Sequence, residues 1–187
     1  MRSILLGGIV VAAIASGAAF GAEPTQVPVT FSGGHDTDPR DHGRPVVLVA
    51  GALGVTPEVF RQAFSGVTPA RGRGPTGEEA RRNKEALMKV LKPHGITNDR
   101  LDEVSNYYRY RPQNGEMWPI AAAKAHAVIE GGKIKQIVVT DGGSGYSSTP
   151  TVTIPGMKDA QVKVSLKYGS DFKKNGTIDS IDLVPTR

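Results

Sequence analysis

Glycine and proline punctuate this chain so densely, at 23 and 13 positions among 187 residues, that its elements must be short and its turns many. That punctuation excludes a bundle of a few long helices. Between the stops the apolar spacing is periodic, and near Ser105 the period changes from the three-to-four of a helix to the two of a strand. The expectation is an α+β fold, with two N-terminal helical hairpins over 39–105 and an antiparallel β region over 106–187, joined at a seam over Ser105–Arg111. Hydrophobic and charged fractions of 39% and 22% argue against wholesale disorder.

The first 22 residues differ in character. Arg2 precedes an apolar run, Ile4–Ala15, shorter than the roughly 20 residues needed to span a bilayer. Ala19 and Gly21 then suit the −3 and −1 positions of a cleavage site. Segment 1–22 therefore reads as a secretory signal peptide cut near Gly21 or Ala22, with a retained anchor as the alternative. Cleavage would leave a secreted or periplasmic chain that starts with an extended polar leader over 23–38. Its 22 basic and 18 acidic residues give a mild formal charge of +4, and export argues against nucleic acid as a partner. The chain has no cysteine, so disulfides, thiolate metal sites and cysteine nucleophiles are excluded and stability must come from packing.

In the helical region, Arg44-Pro45 opens a helix over Val46–Leu53 that Gly54 stops. Thr56-Pro57-Glu58 supplies a cap, a proline and a first-turn acid for a second helix with the stripe Val59, Phe60, Ala63 and Phe64. Thr76 and Glu79 form a capping box ahead of a third helix running to about Lys92, which should bury Ala80, Leu87, Val90 and Leu91. Gly95 stops it, and Thr97 caps a fourth with Leu101 and Val104 inward. The pieces repeat at an offset of 41 residues: Gly54-Val55-Thr56 matches Gly95-Ile96-Thr97, Glu58 matches Asp99, Phe60 matches Leu101 and Ala63 matches Val104. They resemble the LGV-type helical hairpins of bacterial secreted and DNA-binding proteins, a packing motif with no attached chemistry. The signal peptide disfavours a DNA-binding helix-turn-helix. Ala80 to Tyr110 also resembles part of a SIMPL-type periplasmic domain, which stands as an alternative fold.

Beyond Ser105, Tyr108 and Tyr110 alternate with Tyr107, Arg109 and Arg111 as in a strand. Ala123–Ile129 and Ile134–Thr140 read as a hairpin around Gly131-Gly132, followed by a tight loop over Asp141–Tyr146 and a strand over Thr151–Ile154. Val162–Tyr168 and Ile178–Val184 form another hairpin turned at Asn175-Gly176. Residues 132–154 resemble the GGSGY…PTVTI β-repeat of phage tail proteins and bacterial secreted surface proteins, and Gly132–Ile137 is echoed by Gly176–Ile181. The resemblance implies a structural or adhesive β-module, with Tyr146 packed over the turn.

Five candidate sites follow from residue types. His35, Asp36, Asp38, Asp41 and His42 lie within eight residues and could hold zinc or calcium, although their spacing fits no standard ligand set and an ordinary polar loop explains them as well. Asp171–Asp182 matches several positions of a calcium loop, but Lys173 stands where an oxygen ligand is required and the flanks alternate like strands. Gly72–Gly77 matches GxGxxG without a preceding strand, and Glu78 and Glu79 would repel a phosphate. Seven basic residues against three acids between Arg71 and Lys92, among them Arg71, Arg73, Arg81 and Arg82, form either a docking face for an anionic partner or a solvated helix face. Tyr107, Arg109, Arg111 and Trp118 form the best candidate binding face, with Tyr108 and Tyr110 turned inward.

These features favour an exported non-enzymatic binding or structural protein of the periplasm or cell surface, whose partner is a protein or an anionic glycan. A metal-dependent protein, such as a hydrolase using the His35–His42 cluster, is the alternative, and an anionic-glycan-binding module is a third reading.

Overall fold

The structure, a computed structural model, describes residues 23–68, 74–110 and 114–185. The expected signal peptide and the candidate residues Arg71, Arg73 and Arg111 lie outside them.

Four helices form as their caps dictate. α1 (Val46–Leu53) starts at Pro45, whose carbonyl accepts from the Leu48 and Val49 N–H groups, and ends at Gly54 with φ 71°. α2 (Pro57–Ser65) is capped by Thr56, whose hydroxyl accepts from Val59 N–H, and leaves α1 at 104°. α3 (Gly77–Leu91) carries the full capping box of Thr76 and Glu79. A single 3₁₀ turn and Gly95, with φ 79°, lead to α4 (Asn98–Tyr107), capped by Thr97. The 41-residue repeat is thus a repeat of backbone geometry. In each copy a left-handed glycine is followed by an N–H that reaches back five residues, Val55 to Ala50 and Ile96 to Leu91, and then by a threonine cap. Leu48, Ala63, Leu91 and Val104 fill the resulting core with no exposed surface.

Two helical expectations change. Ala80 is exposed, because α3 meets α2 further along, where Ala86 abuts Gly66. Over 105–110 the expected seam strand is instead the last turn of α4 and the irregular chain that follows it. Leu101, Val104 and Tyr108 share one buried helical face, and the Tyr108 N–H donates to the Val104 carbonyl, so the helical period overrides the tyrosine alternation.

The strands form two antiparallel units. β1 (Thr25–Gly33), β2 (Lys124–Glu130), β3 (Lys133–Asp141) and β4 (Pro150–Thr153) make a sheet of order β3-β2-β1-β4, and β5 (Val162–Lys167) pairs with β6 (Thr177–Leu183). The two units touch where Ile178 N–H donates to the Gly142 carbonyl. Within the expected extended leader over 23–38, Thr25–Gly33 is instead β1 and lies inside the sheet, with Thr25 opposite Ile129 and Thr30 opposite Thr153. Its signal is the alternation of Val27, Val29 and Phe31, diluted by Pro28 and flanking polar residues. The β core gathers Val29, Ala125, Ala127, Tyr146, Ile154, Ile178 and Ile181. Asn175-Gly176 is not a two-residue turn. The connection between β5 and β6 spans 168–176 and leans into the helical half.

Candidate functional site

Two loops fasten the halves together. From the 168–176 loop, fully buried Asn175 donates through Nδ2 to the Leu48 carbonyl at 2.7 Å and to the Tyr108 hydroxyl at 2.8 Å. Its Oδ1 accepts from Gly169 N–H at 3.1 Å. Gly176 sits so close to Leu48 Cδ2 and the Tyr146 carbonyl that a Cβ would lie 2.5 Å from each, and its φ of 67° disfavours any side chain. The glycine loop of the resembled β-repeat docks beside it: Gly145 and Tyr146 N–H groups donate to the Asn175 and Gly176 carbonyls. Trp118 Nε1 donates to the Gly145 carbonyl at 2.8 Å, and the Tyr146 hydroxyl accepts from Ala123 N–H at 3.0 Å. The glycines therefore carry packing, and Tyr146 packs against His35 and Gly34. Sequence reading of the joint missed Asn175, whose neighbour glycine gave it the look of a surface turn.

The His35–His42 segment is held by ion pairs. Asp41 is buried, and its two carboxylate oxygens accept from Arg61 Nε and Nη2, both at 2.8 Å. Asp38 caps the turn at Pro39 and pairs with Arg40 at 2.6 Å, which holds its carboxyl well below the usual range. Asp36 bonds to Ser147 and Ser148. The His35 ring stacks on Tyr146 with centroids 5.2 Å apart, and its buried Nδ1 has no hydrogen-bond partner. His42 closes the turn in a left-handed conformation. Among the described residues no group of three or more histidine, aspartate or glutamate side chains comes together as a metal site requires. Over Asp171–Asp182, Asp171 caps a turn by accepting from Lys173 N–H, and the segment is the β5–β6 connection with β6.

The basic helix face is partly neutralised. Arg81 pairs with Glu85 at 2.8 Å, Arg82 with Glu78 at 3.2 Å, and Lys84 with Asp102 of α4 at 2.5 Å. The expected aromatic face is dispersed. Trp118 is 3% exposed and belongs to the helical core, because its indole N–H is needed by the glycine loop. Tyr107 stacks on Phe172 at 4.2 Å, while Arg109 stays exposed and bonds to Asn106. Tyr110 leans on Trp118 and covers Gly43, where a Cβ would lie 2.8 Å from its ring.

Beside Tyr110 lies a depression of about 180 Å³ between α1, α2 and the end of α4. Pro45, Val49, Phe60 and Phe64 supply its apolar wall, and Arg44 and Arg109 its charge. The Arg44 guanidinium lies 4.2 Å over the Phe64 ring. Burial pulls the Arg44 pKa down from its ordinary value, with the Asp41 charge opposing. Arg44 reads in the sequence only as the residue before a helix-opening proline, so its half-buried position was not visible there.

No protein-family model, curated protein or solved structure matches this chain.

Proposed function

We propose that the chain is an exported, non-enzymatic protein of the periplasm or cell surface that binds a partner or builds structure there. The observation that carries this reading is the use made of the glycine loop 141–146. Its backbone and Tyr146 are bonded to Asn175, Gly176, Trp118 and Ala123, so the motif that resembles surface-type β-repeats works as a clasp between two small cores. The signal-type segment 1–22 supports the destination. A second reading within the same class, an anionic-glycan-binding module, is favoured by the Arg44 depression with its aromatic wall.

The test is expression of the full chain followed by fractionation, intact mass and sedimentation with isolated cell envelopes. The expected mass lacks the residues up to Gly21 or Ala22, and the cleaved chain sediments with envelopes. A full-length cytosolic chain, or a cleaved one that ignores envelopes, refutes the proposal.

A further inference from the structure

Seven arginines lie among the described residues, and five of them have a carboxylate partner. Arg40 meets Asp38, Arg61 meets Asp41, Arg81 meets Glu85, Arg82 meets Glu78 and Arg100 meets Glu103, all within 3.2 Å. The two that lack one, Arg44 and Arg109, line the same depression. Arg109 is exposed and bonds only to the neutral amide of Asn106. Arg44 is half-buried, and its one side-chain hydrogen bond runs from Nη1 to the Asp41 carbonyl at a long 3.4 Å. It cannot take the Asp41 carboxylate, because Arg61 engages both oxygens. A partly desolvated guanidinium with unfilled donors favours an anion strongly, and its planar fork suits a carboxylate best.

The walls say what the anion is attached to. Phe64 lies under the guanidinium, and Tyr110 is fixed against Trp118 and Gly43, so the apolar side is already in place. The hydroxyls of Ser105 and Tyr110 at the rim have no protein hydrogen-bond partner among the described residues. Flat rings, free hydroxyls and a cation together match a ring that bears both hydroxyls and a carboxylate.

We infer that this depression binds a uronic-acid residue of an acidic glycan, with Arg44 on the carboxylate, Arg109 at the rim, and Phe64 and Tyr110 beside the sugar ring. The inference rests on the envelope reading, which supplies such a glycan, and it places recognition at Arg44 rather than on the α3 face.

The test is calorimetric titration of the signal-cleaved chain at low salt with trigalacturonate, its fully methyl-esterified form and pentaglutamate. Trigalacturonate should bind and the ester should not. Arg44→Gln should weaken binding at least tenfold, Arg44→Lys should recover only part of it because an ammonium lacks the fork, and Arg81→Gln should change nothing. Circular dichroism should show Arg44→Gln folded, since the side chain makes a single long hydrogen bond. If that variant unfolds, Arg109→Gln and Arg44→Lys carry the same comparison. Equal binding by wild type and Arg44→Gln, no binding of trigalacturonate, or equal Arg44-dependent binding of pentaglutamate overturns the inference, the last by making the ligand an acidic peptide. These outcomes leave cleavage and export untouched, so failure of the site and failure of the envelope reading are separable.

Discussion

Replacing Asn175 with alanine should separate the two halves energetically more than any other single change. The side chain is fully buried and serves three backbone or hydroxyl partners: the Leu48 carbonyl, the Tyr108 hydroxyl and the Gly169 N–H. Each polar group left buried without a partner costs about 1–3 kcal/mol. Gly169 is partly exposed and can turn to water, and the Leu48 carbonyl lies inside α1 and keeps its helical donor. The Tyr108 hydroxyl is thus the orphaned group, and with the lost bond to Leu48 the expected cost is about 2–4 kcal/mol. Domains are stable by only about 5–15 kcal/mol, so much of the margin disappears. Trp118 is the chain's one tryptophan and sits in the joint itself, which makes its fluorescence a local reporter beside far-ultraviolet circular dichroism. Urea titrations read by both probes should show the variant's midpoint falling by that amount. The double variant Asn175→Ala/Tyr108→Phe should lose less than the sum of its parts, by about 0.5–1.5 kcal/mol for the shared hydrogen bond. An unchanged midpoint for Asn175→Ala, or strict additivity with Tyr108→Phe, would refute the reasoning.

Four further outcomes are expected. Burial pushes the Tyr108 hydroxyl up to about 12, against the Asn175 hydrogen bond that lowers it. The unfolded chain therefore releases this proton first, near pH 10; stability is intact below that and declines as pH rises through 12, by about 2–3 kcal/mol, a slope that Tyr108→Phe should flatten in pH-dependent urea titrations. Gly51→Ala would place a Cβ 2.8 Å from both Asn175 Oδ1 and Tyr168 Cβ, so its melting temperature should fall despite a helix-propensity gain of about 1 kcal/mol; a rise would show the joint to be loose. Asp41→Asn breaks a buried bidentate pair with Arg61 and should cost about 3 kcal/mol in denaturant titration, with Arg61→Met in the same chain restoring part of it. Chelation with EDTA should leave the melting temperature unchanged, because Asp38 and Asp41 are engaged by arginines; a fall of several degrees would favour the metal reading instead.

What the sequence revealed and concealed follows the range of the interactions. The helix caps at Thr56, Thr76 and Thr97 and the glycine stops at Gly54 and Gly95 act over three to five residues, and each forms where its sequence signature lies. The β2–β3 hairpin at Gly131-Gly132 is equally local. The errors concern residues whose role is assigned from far away. Tyr107 looked like a strand residue on a binding face, whereas its ring stacks on Phe172 from the β5–β6 connection. Asn175 looked like a turn until Leu48, 127 positions earlier, required its amide. Trp118 looked like a surface aromatic until the Gly145 carbonyl required its N–H. Of the residues lining the depression, the sequence singled out only Arg109 for a binding face and expected Tyr110 to turn inward. Arg44 stands out only by comparison with the other arginines, since a missing ion pair is a property of three-dimensional neighbours.

The interior position of β1 has a consequence for the order of events in time. Its partners are Ala125–Ile129 on one side and Pro150–Thr153 on the other, 96 to 123 positions downstream. Pairing at such separation is slow to nucleate, and a chain emerging N-terminus first carries Thr25–Gly33 unpaired until nearly all of it has appeared. The helices, built from neighbours, can form meanwhile, but the sheet cannot close. If the chain is exported as proposed, this delay is useful: β1 is the strand least able to fold before the rest has crossed. Until β2 and β4 arrive, the same delay leaves β1 with two bare edges, each a template for pairing with another chain.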